Sequence, residues 1–285
     1  MHRLCQARYV TAPATNRKAG ISVRIRQVLQ KAKAVATRGR SHLAARSRSI
    51  AVEGGLDLRE LRARLGRDPA VILEIGANDG QDTARLLEMF PEATIHCFEP
   101  DPRASALFEN NVRSDRVRLH PIAIAAHDGD AVFYQSGGAP PGREEEFPDG
   151  WHLSGSIRRP KHHLDAHPWC RFDEEIHIQS RTLDSWATDA EVEFVDFIWA
   201  DVQGAEVDLI RGGTRVLQST RYLYTEYNDD ELYEGQLTLA GLLDILPGWR
   251  VETRFKDDVL LANTNFSNGA LRALAPSGEP TSPRG

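Results

Sequence analysis

Five segments of nearly continuous apolar character run through the middle of the chain: Val71–Ile75, Thr94–Phe98, 117–124, 194–200 and 222–227. Uninterrupted runs of this kind suit strands covered on both faces, as in a parallel sheet. Between them the period changes. Residues 82–90 carry Ala84 and Leu87 on one helical face, and Ala104, Leu107 and Phe108 do the same after Asp101-Pro102, an N-cap followed by proline at the first helical position. Residues 205–211 predict a helix that Gly212-Gly213 ends, and 237–246 one that Pro247-Gly248 stops. A lead-in helix is expected over 56–65, short strands over 131–135 and 176–180, and a closing antiparallel hairpin from 250–255 and 259–263. The strand–helix alternation predicts an α/β fold with a doubly wound, Rossmann-like, mostly parallel sheet. Residues 136–174 are rich in Gly, Pro, His and Arg and read as a lid or acceptor-binding loop.

This pattern places one domain at 53–266, between an extension (1–52) and a Pro/Ser/Gly-rich tail (267–285) expected to be disordered. The net charge of −6 is unevenly spread: residues 1–52 hold twelve Lys/Arg and no acid, so the remainder carries −18. An acidic body argues against a nucleic-acid substrate, because phosphate contacts need a basic face. In the arm, Ile25, Val28, Leu29, Ala32, Val35 and Ala36 share a helical stripe among basic residues. A solvated helical extension, peripheral contact of residues 20–48 with an anionic membrane, and a presequence all fit that stripe. No apolar run approaches the roughly 18 residues of a membrane span. Cys5, Cys97 and Cys170 have no metal-binding spacing, and three thiols suit a reducing, cytoplasmic setting.

The first strand enters the turn Gly76-Ala77-Asn78-Asp79-Gly80, and the second ends in Glu99-Pro100. A strand, a glycine turn and a helix start bring backbone N–H groups against a ligand, while an acid at the next strand tip accepts ribose hydroxyls. The spacing is G-x-x-x-G, not the G-x-G-x-x-G of dinucleotide sites. Glu74 and Asp79 would repel a pyrophosphate but suit an ammonium and a sulfonium, which favours S-adenosyl-L-methionine over NAD. Strand ends in order supply Asn78/Asp79, Glu99, His120, Asp201 and Glu226, all on the side where open parallel sheets bind ligands.

The segments 72–80, 98–102, 182–184, 195–206, 225–227 and 231–235, above all Asp201-Val202-Gln203-Gly204-Ala205-Glu206, resemble the FkbM family of S-adenosylmethionine-dependent methyltransferases. The resemblance spans roughly residues 70–262, with Gln203 standing where many members have Glu. It implies a class I methyltransferase fold of seven strands, the last antiparallel, and O-methylation of a hydroxyl on a sugar, glycan or glycosylated secondary metabolite. Strand position and family pattern together assign Glu74, Gly76, Ala77, Asn78, Asp79, Gly80, Glu99, Pro100 and Ile122 to the cofactor. An alcohol acceptor must lose a proton, so Asp201, Glu226 and His120 are the candidate catalytic groups. Trp151, Ser154, Ser156 and Arg158 in the loop, with Gln203, are candidates for a sugar-like acceptor. Glu206 reads as a helix-start residue. His162, His163 and His167 lack the frame of a zinc site and read as a solvated loop, so no metal is assigned. The competing readings are an NAD- or nucleotide-sugar-dependent oxidoreductase and a non-catalytic module of the same fold.

Overall fold

A computed structural model describes residues 55–266. The basic arm with its stripe over 20–48, the tail from 267 and Cys5 lie outside the described residues. In chain order the elements are α1 (Leu58–Leu65), β1 (Val71–Ile75), α2 (Gln81–Met89), β2 (Thr94–Phe98), α3 (Pro102–Asn111), β3 (Val117–His120), β4 (Ala123–Ile124) and β5 (Gly129–Gly138). They continue with α4 (His163–Ala166), β6 (Cys170–Arg181), α5 (Leu183–Asp189), β7 (Val195–Ala200), α6 (Glu206–Gly212), α7 (Thr214–Gln218), β8 (Thr220–Glu226), α8 (Leu239–Asp244), β9 (Trp249–Arg254) and β10 (Asp258–Asn263).

The main sheet has seven strands in the order β3-β2-β1-β7-β8-β10-β9. The first five are mutually parallel, and β10 runs antiparallel between β8 and β9. Alternate residues of each buried strand face opposite layers. Leu73, Ile75, Phe98 and Ile198 pack with Leu183, Trp186, Leu209, Val216 and Leu242 of the α5–α8 layer. Ile72, Ile95, Phe197 and Tyr224 pack with Leu61, Leu86 and Phe108 of the α1–α3 layer. Both faces are therefore apolar, which is why the strands read as unbroken hydrophobic runs. A second sheet, β4-β6-β5, is built around a long antiparallel ribbon of β5 and β6.

Several expected boundaries move for identifiable reasons. The single strand expected over 117–124 is two, because Pro121 has no N–H for the ladder and the chain leaves β2 to pair with β6 in the second sheet. The strands expected over 131–135 and 176–180 are longer, reaching Gly138 and back to Cys170, so both run into the segment read as an irregular loop. Gly212-Gly213 ends α6 as expected, but a new helix starts at Thr214. Its first amides are satisfied from afar: Asp184 Oδ2 accepts from Arg215 N (2.9 Å) and Asp184 Oδ1 from Val216 N (2.9 Å). Asp184 belongs to α5, a helix absent from the expectations, whose N-cap is Thr182 accepting from Ser185 N (3.1 Å).

The lead-in to β1 is fixed by a fully buried acid. Asp196 in β7 accepts from Arg67 Nη2 (2.6 Å) and Ala70 N (2.7 Å). Replacing it with alanine strands a backbone amide and a guanidinium, at a cost of about 1–3 kcal/mol. Urea unfolding of Asp196→Ala is expected to show that loss, and a variant as stable as the wild type would contradict it.

Candidate active site

The site grows from the crowding of β1 against β7. Asp201 N donates to Ile75 O (2.9 Å), and Gly76 N and Ala77 N both donate to Phe98 O (2.9 and 3.0 Å). The turn after β1 is thus stitched to the tips of both neighbouring strands. Gly76 has φ +87°, and a Cβ there would lie 1.9 Å from the Asp201 carbonyl oxygen. Only glycine satisfies both the left-handed backbone and that approach.

A cleft opens beyond these strand ends, under residues 152–157 and Phe133 of β5. Its volume, open mouth included, is about 620 Å³. At one end Glu99 is 5% exposed, with Oε2 accepting from Asn78 N (2.9 Å) and Oε1 from Asp101 N (2.7 Å). Two of the carboxylate's lone-pair positions stay free for a ligand. Burial raises the Glu99 carboxyl to about 8; the two amides pull it down, and Asp101 and Asp201 push it up. Phe98, Pro100, Ile122 and Ile124 form the apolar wall beside it.

At the other end Asp201 and Gln203 line the cleft. Gln203 Nε2 donates to Asp201 Oδ1 (2.5 Å) and approaches Glu226 Oε2 (3.3 Å). Its Oε1 lies 3.2 Å from the Tyr233 hydroxyl, which also donates to Ser154 O (2.8 Å). The amide is therefore oriented by partners on both sides, one N–H₂ bridging two carboxylates. Burial lifts both acids above the ordinary carboxylate range; mutual repulsion and Asp258 raise Glu226, and Asp258 and Asp82 add to Asp201. Glu206 at the start of α6 accepts from Gly204 N (3.3 Å), and burial raises it to about 7.

Residues 139–169, between β5 and β6, are tied down more closely than a loose loop. Asn78 Nδ2 donates to His152 O (2.9 Å) and Ser156 Oγ to Gln203 O (2.8 Å). Ser156 pairs with Tyr134, Pro160 with Tyr233, and Arg158 forms an ion pair with Asp208.

Of the residues assigned from sequence, Gly76, Asn78, Glu99, Pro100, Ile122, Ser156, Asp201 and Gln203 line the cleft. Glu226 meets it through Gln203. The others are placed elsewhere. Glu74 is 2% exposed and accepts from Thr83 Oγ1 beside Cys97, inside the α2 layer. Ala77 is core, Asp79 accepts from Gln81 N (3.2 Å) at the start of α2, and Gly80 packs under Val112 and Phe108. His120 sits 3.1 Å from His96 Nδ1 and stacks on Phe98 with Trp186 across it, outside the cleft lining. Trp151 donates to Ser154 Oγ (2.9 Å), while Ser154 is buried and Arg158 is consumed by Asp208, so these three hold the lid. Ser156 also spends its hydroxyl on protein. The histidines expected in a solvated loop divide: His163 is 3% exposed against Tyr233, Phe172 and His167. The sequence reading missed Phe133, His152, Leu153, Ile157 and Val202 in the lining. Apart from the loop's general composition, nothing in the chain pattern marks them.

Buried Glu74 generates a pH prediction. Burial raises its pKa from 4.5 to about 8, opposed by Thr83 and Cys97 and aided by Asp82 and Asp79. The native state thus holds a proton that the unfolded chain releases above about 4.5, and stability contributed by the neutral form is lost as pH rises from about 4.5 to about 8. Glu74→Gln is expected to match the wild type near pH 5 and to exceed it by at least about 1 kcal/mol at pH 8. Equal stability differences at the two pH values would refute this.

With that geometry established, comparison with known proteins is informative. The profile described as methyltransferase FkbM domain matches residues 74–258. The chain is 46% identical over 213 residues to 2-O-methyltransferase NoeI of Sinorhizobium fredii (strain NBRC 101917 / NGR234), covering 73% of this chain and 85% of that protein. It is 25% identical over 154 residues to Methyltransferase 1 of Beauveria bassiana (strain ARSEF 2860), covering 51% and 59%. Among solved structures, an O-methyltransferase of Klebsiella pneumoniae titled putative aligns with TM-score 0.40 and 14% identity, over 73% of this chain and 78% of the other.

Proposed function

The chain belongs to the FkbM-domain methyltransferases, and on that premise we propose that it transfers a methyl group from S-adenosylmethionine to a hydroxyl of a sugar, glycan or glycosylated metabolite. The family and the fold are those expected from its motifs. The enzyme is a methyltransferase, and the printed name of its 46%-identical relative, a 2-O-methyltransferase, supports oxygen as the acceptor atom.

The observation that carries the reading is Glu99, held by two backbone amides at the tip of β2 in the same cleft as Asp201. The residues present fit the cofactor. A fixed carboxylate with free lone pairs suits vicinal ribose hydroxyls, the Phe98/Ile122/Ile124 wall suits a flat base, and Asp201 answers positive charge. When bound, S-adenosylmethionine supplies an electrophilic methyl group on a sulfonium. What this chain adds is position and proton handling. Burial makes Asp201 and Glu226 each hold a proton more tightly than an isolated carboxylate does, and the Gln203 amide donates to Asp201 and approaches Glu226. A carboxyl raised toward neutrality is better matched to taking a proton from an alcohol at pH 7. Asp201, which lines the cleft, is the base in this reading; burial sets its proton affinity and Gln203 orients it. The lid covers the acceptor side, with Leu153 and Ile157 toward the cleft.

Two measurements test the reading together. Calorimetric titration with S-adenosylmethionine is expected to show binding that Glu99→Ala weakens at least about tenfold, the scale of lost hydrogen bonds to a charged group. Incubation with tritiated S-adenosylmethionine and glycan extracts is expected to yield label stable to alkali, as an ether is and an ester is not. Absence of cofactor binding by the wild type, or unaltered affinity in the variant, would sink it.

A further inference from the structure

One polar atom at the cleft has no role in the hydrogen-bonding described above. His152 Nε2 is screened from bulk water and meets no hydrogen-bond partner among the described residues, although His152 lines the cleft. A screened, unbonded ring nitrogen is costly unless something else meets it. The other polar side chains in the lining are engaged. Asn78 Nδ2 holds His152 O, Ser156 Oγ holds Gln203 O, Gln203 bridges Asp201 and Glu226, and Glu99 accepts from two amides. Among the described residues the lining contains two acids, Glu99 and Asp201, and neither Lys nor Arg. His152 is its one side chain able to carry positive charge.

This imbalance matters for the ligand of the proposed reaction. S-adenosylmethionine carries a sulfonium, an ammonium and one carboxylate. Asp201 answers positive charge and Glu99 the ribose, but a carboxylate brought beside these acids is repelled unless a donor faces it. Backbone ties put His152 at the appropriate end. Asn78 belongs to the turn between Gly76 and Gly80, so its bond to His152 O holds this part of the lid over the tip of β1.

We propose that His152 Nε2 is the donor for the amino-acid carboxylate of the bound cofactor, so that the lid is part of the cofactor site. This rests on the methyltransferase reading above but goes beyond it, since it assigns a lid residue to the methyl donor and not to the acceptor. The anchor to Asn78 uses the backbone carbonyl of His152, which an alanine substitution leaves in place.

The test compares two cofactors that differ only in the group at issue, S-adenosylmethionine and its decarboxylated form, by calorimetry on the full chain. The wild type is expected to bind S-adenosylmethionine at least about tenfold more tightly, the range of a charge-assisted hydrogen bond. His152→Ala should reduce that preference to about twofold or less, leaving affinity for the decarboxylated form within about twofold of wild type, and His152→Lys should recover part of it. Thermal unfolding of each variant separates misfolding from lost contact. An unchanged preference in His152→Ala, or an equal loss for both cofactors, would overturn the assignment while leaving the methyltransferase reading intact. Failure of the wild type to bind either would remove both.

Discussion

The approach of β1 to β7 is the constraint on which the rest depends. The sheet order turns at β1, with β2 on one side and β7 on the other, so the chain leaves the two sides in opposite directions and a crevice opens at their tips. Here the tips are drawn together until the Asp201 carbonyl occupies the place where a side chain at 76 would begin. That contact fixes three things at once: the path of the Gly76–Gly80 turn, the position of Asp201, and the left-handed Gln203-Gly204 step that follows it (φ +50° and +89°). A Cβ on Gly204 would meet Tyr233 at 2.7 Å, so the same crowding reaches the strand-end loop that carries Tyr233. Backbone geometry at β1 and β7 thereby sets where every polar group of the cleft can stand.

Charge is the second organising factor. Glu74, Glu99, Asp201, Glu206 and Glu226 lie close to the sheet's ligand-binding edge, and burial raises each above the ordinary carboxylate range. Their partners are mostly neutral donors: backbone amides for Glu99 and Glu206, a hydroxyl for Glu74, a side-chain amide for Asp201. Arginines in this region are paired away from the cleft, Arg103 with Asp101 and Arg158 with Asp208. Acids that burial keeps protonated, in a crevice lined among the described residues by neither Lys nor Arg, suit a cationic ligand, which would draw them to the charged form, and offer nothing to a pyrophosphate. This is physical support for a sulfonium cofactor that does not depend on the glycine spacing.

The sheet was legible because its strands are buried on both faces, and Val71–Ile75 or Thr94–Phe98 cannot be arranged otherwise. Glu99 and Asp201 were legible for a related reason, since a polar residue ending such a run must sit at the sheet's edge. Glu74 shows where that logic breaks. It lies inside a strand, where a retained proton and the partners Thr83 and Cys97 make its burial tolerable. His120 also ends a strand, but the edge strand β3 leaves it against His96, Phe98 and Trp186 and not at the crevice. The helices α5 and α7 escaped because each is short, and α7 is capped across some 30 residues by Asp184 of α5. The lid escaped because its order comes from contacts with Gln203, Asp208 and Tyr233, far along the chain and invisible to any local pattern.

Those lid contacts bear on how cofactor and acceptor are coupled. Ser156 is bonded to the backbone of Gln203, whose side chain orients the acid pair; Tyr233 touches both Ser154 and Gln203. Asn78, whose amide holds Glu99, also holds the lid at His152. The lid is thus joined at one end to Glu99, through Asn78, and at the other to Gln203 and the acid pair, the groups proposed for the ribose and the acceptor. A shift of the lid cannot occur without changing the hydrogen bonds of both. Serial dependence of this kind favours a site assembled around one ligand before it receives the other, because the first ligand fixes the elements that form the second pocket. The acceptor side would then be shaped less by the lid's own polar side chains than by Gln203 and the acids it holds, half-buried at the cleft.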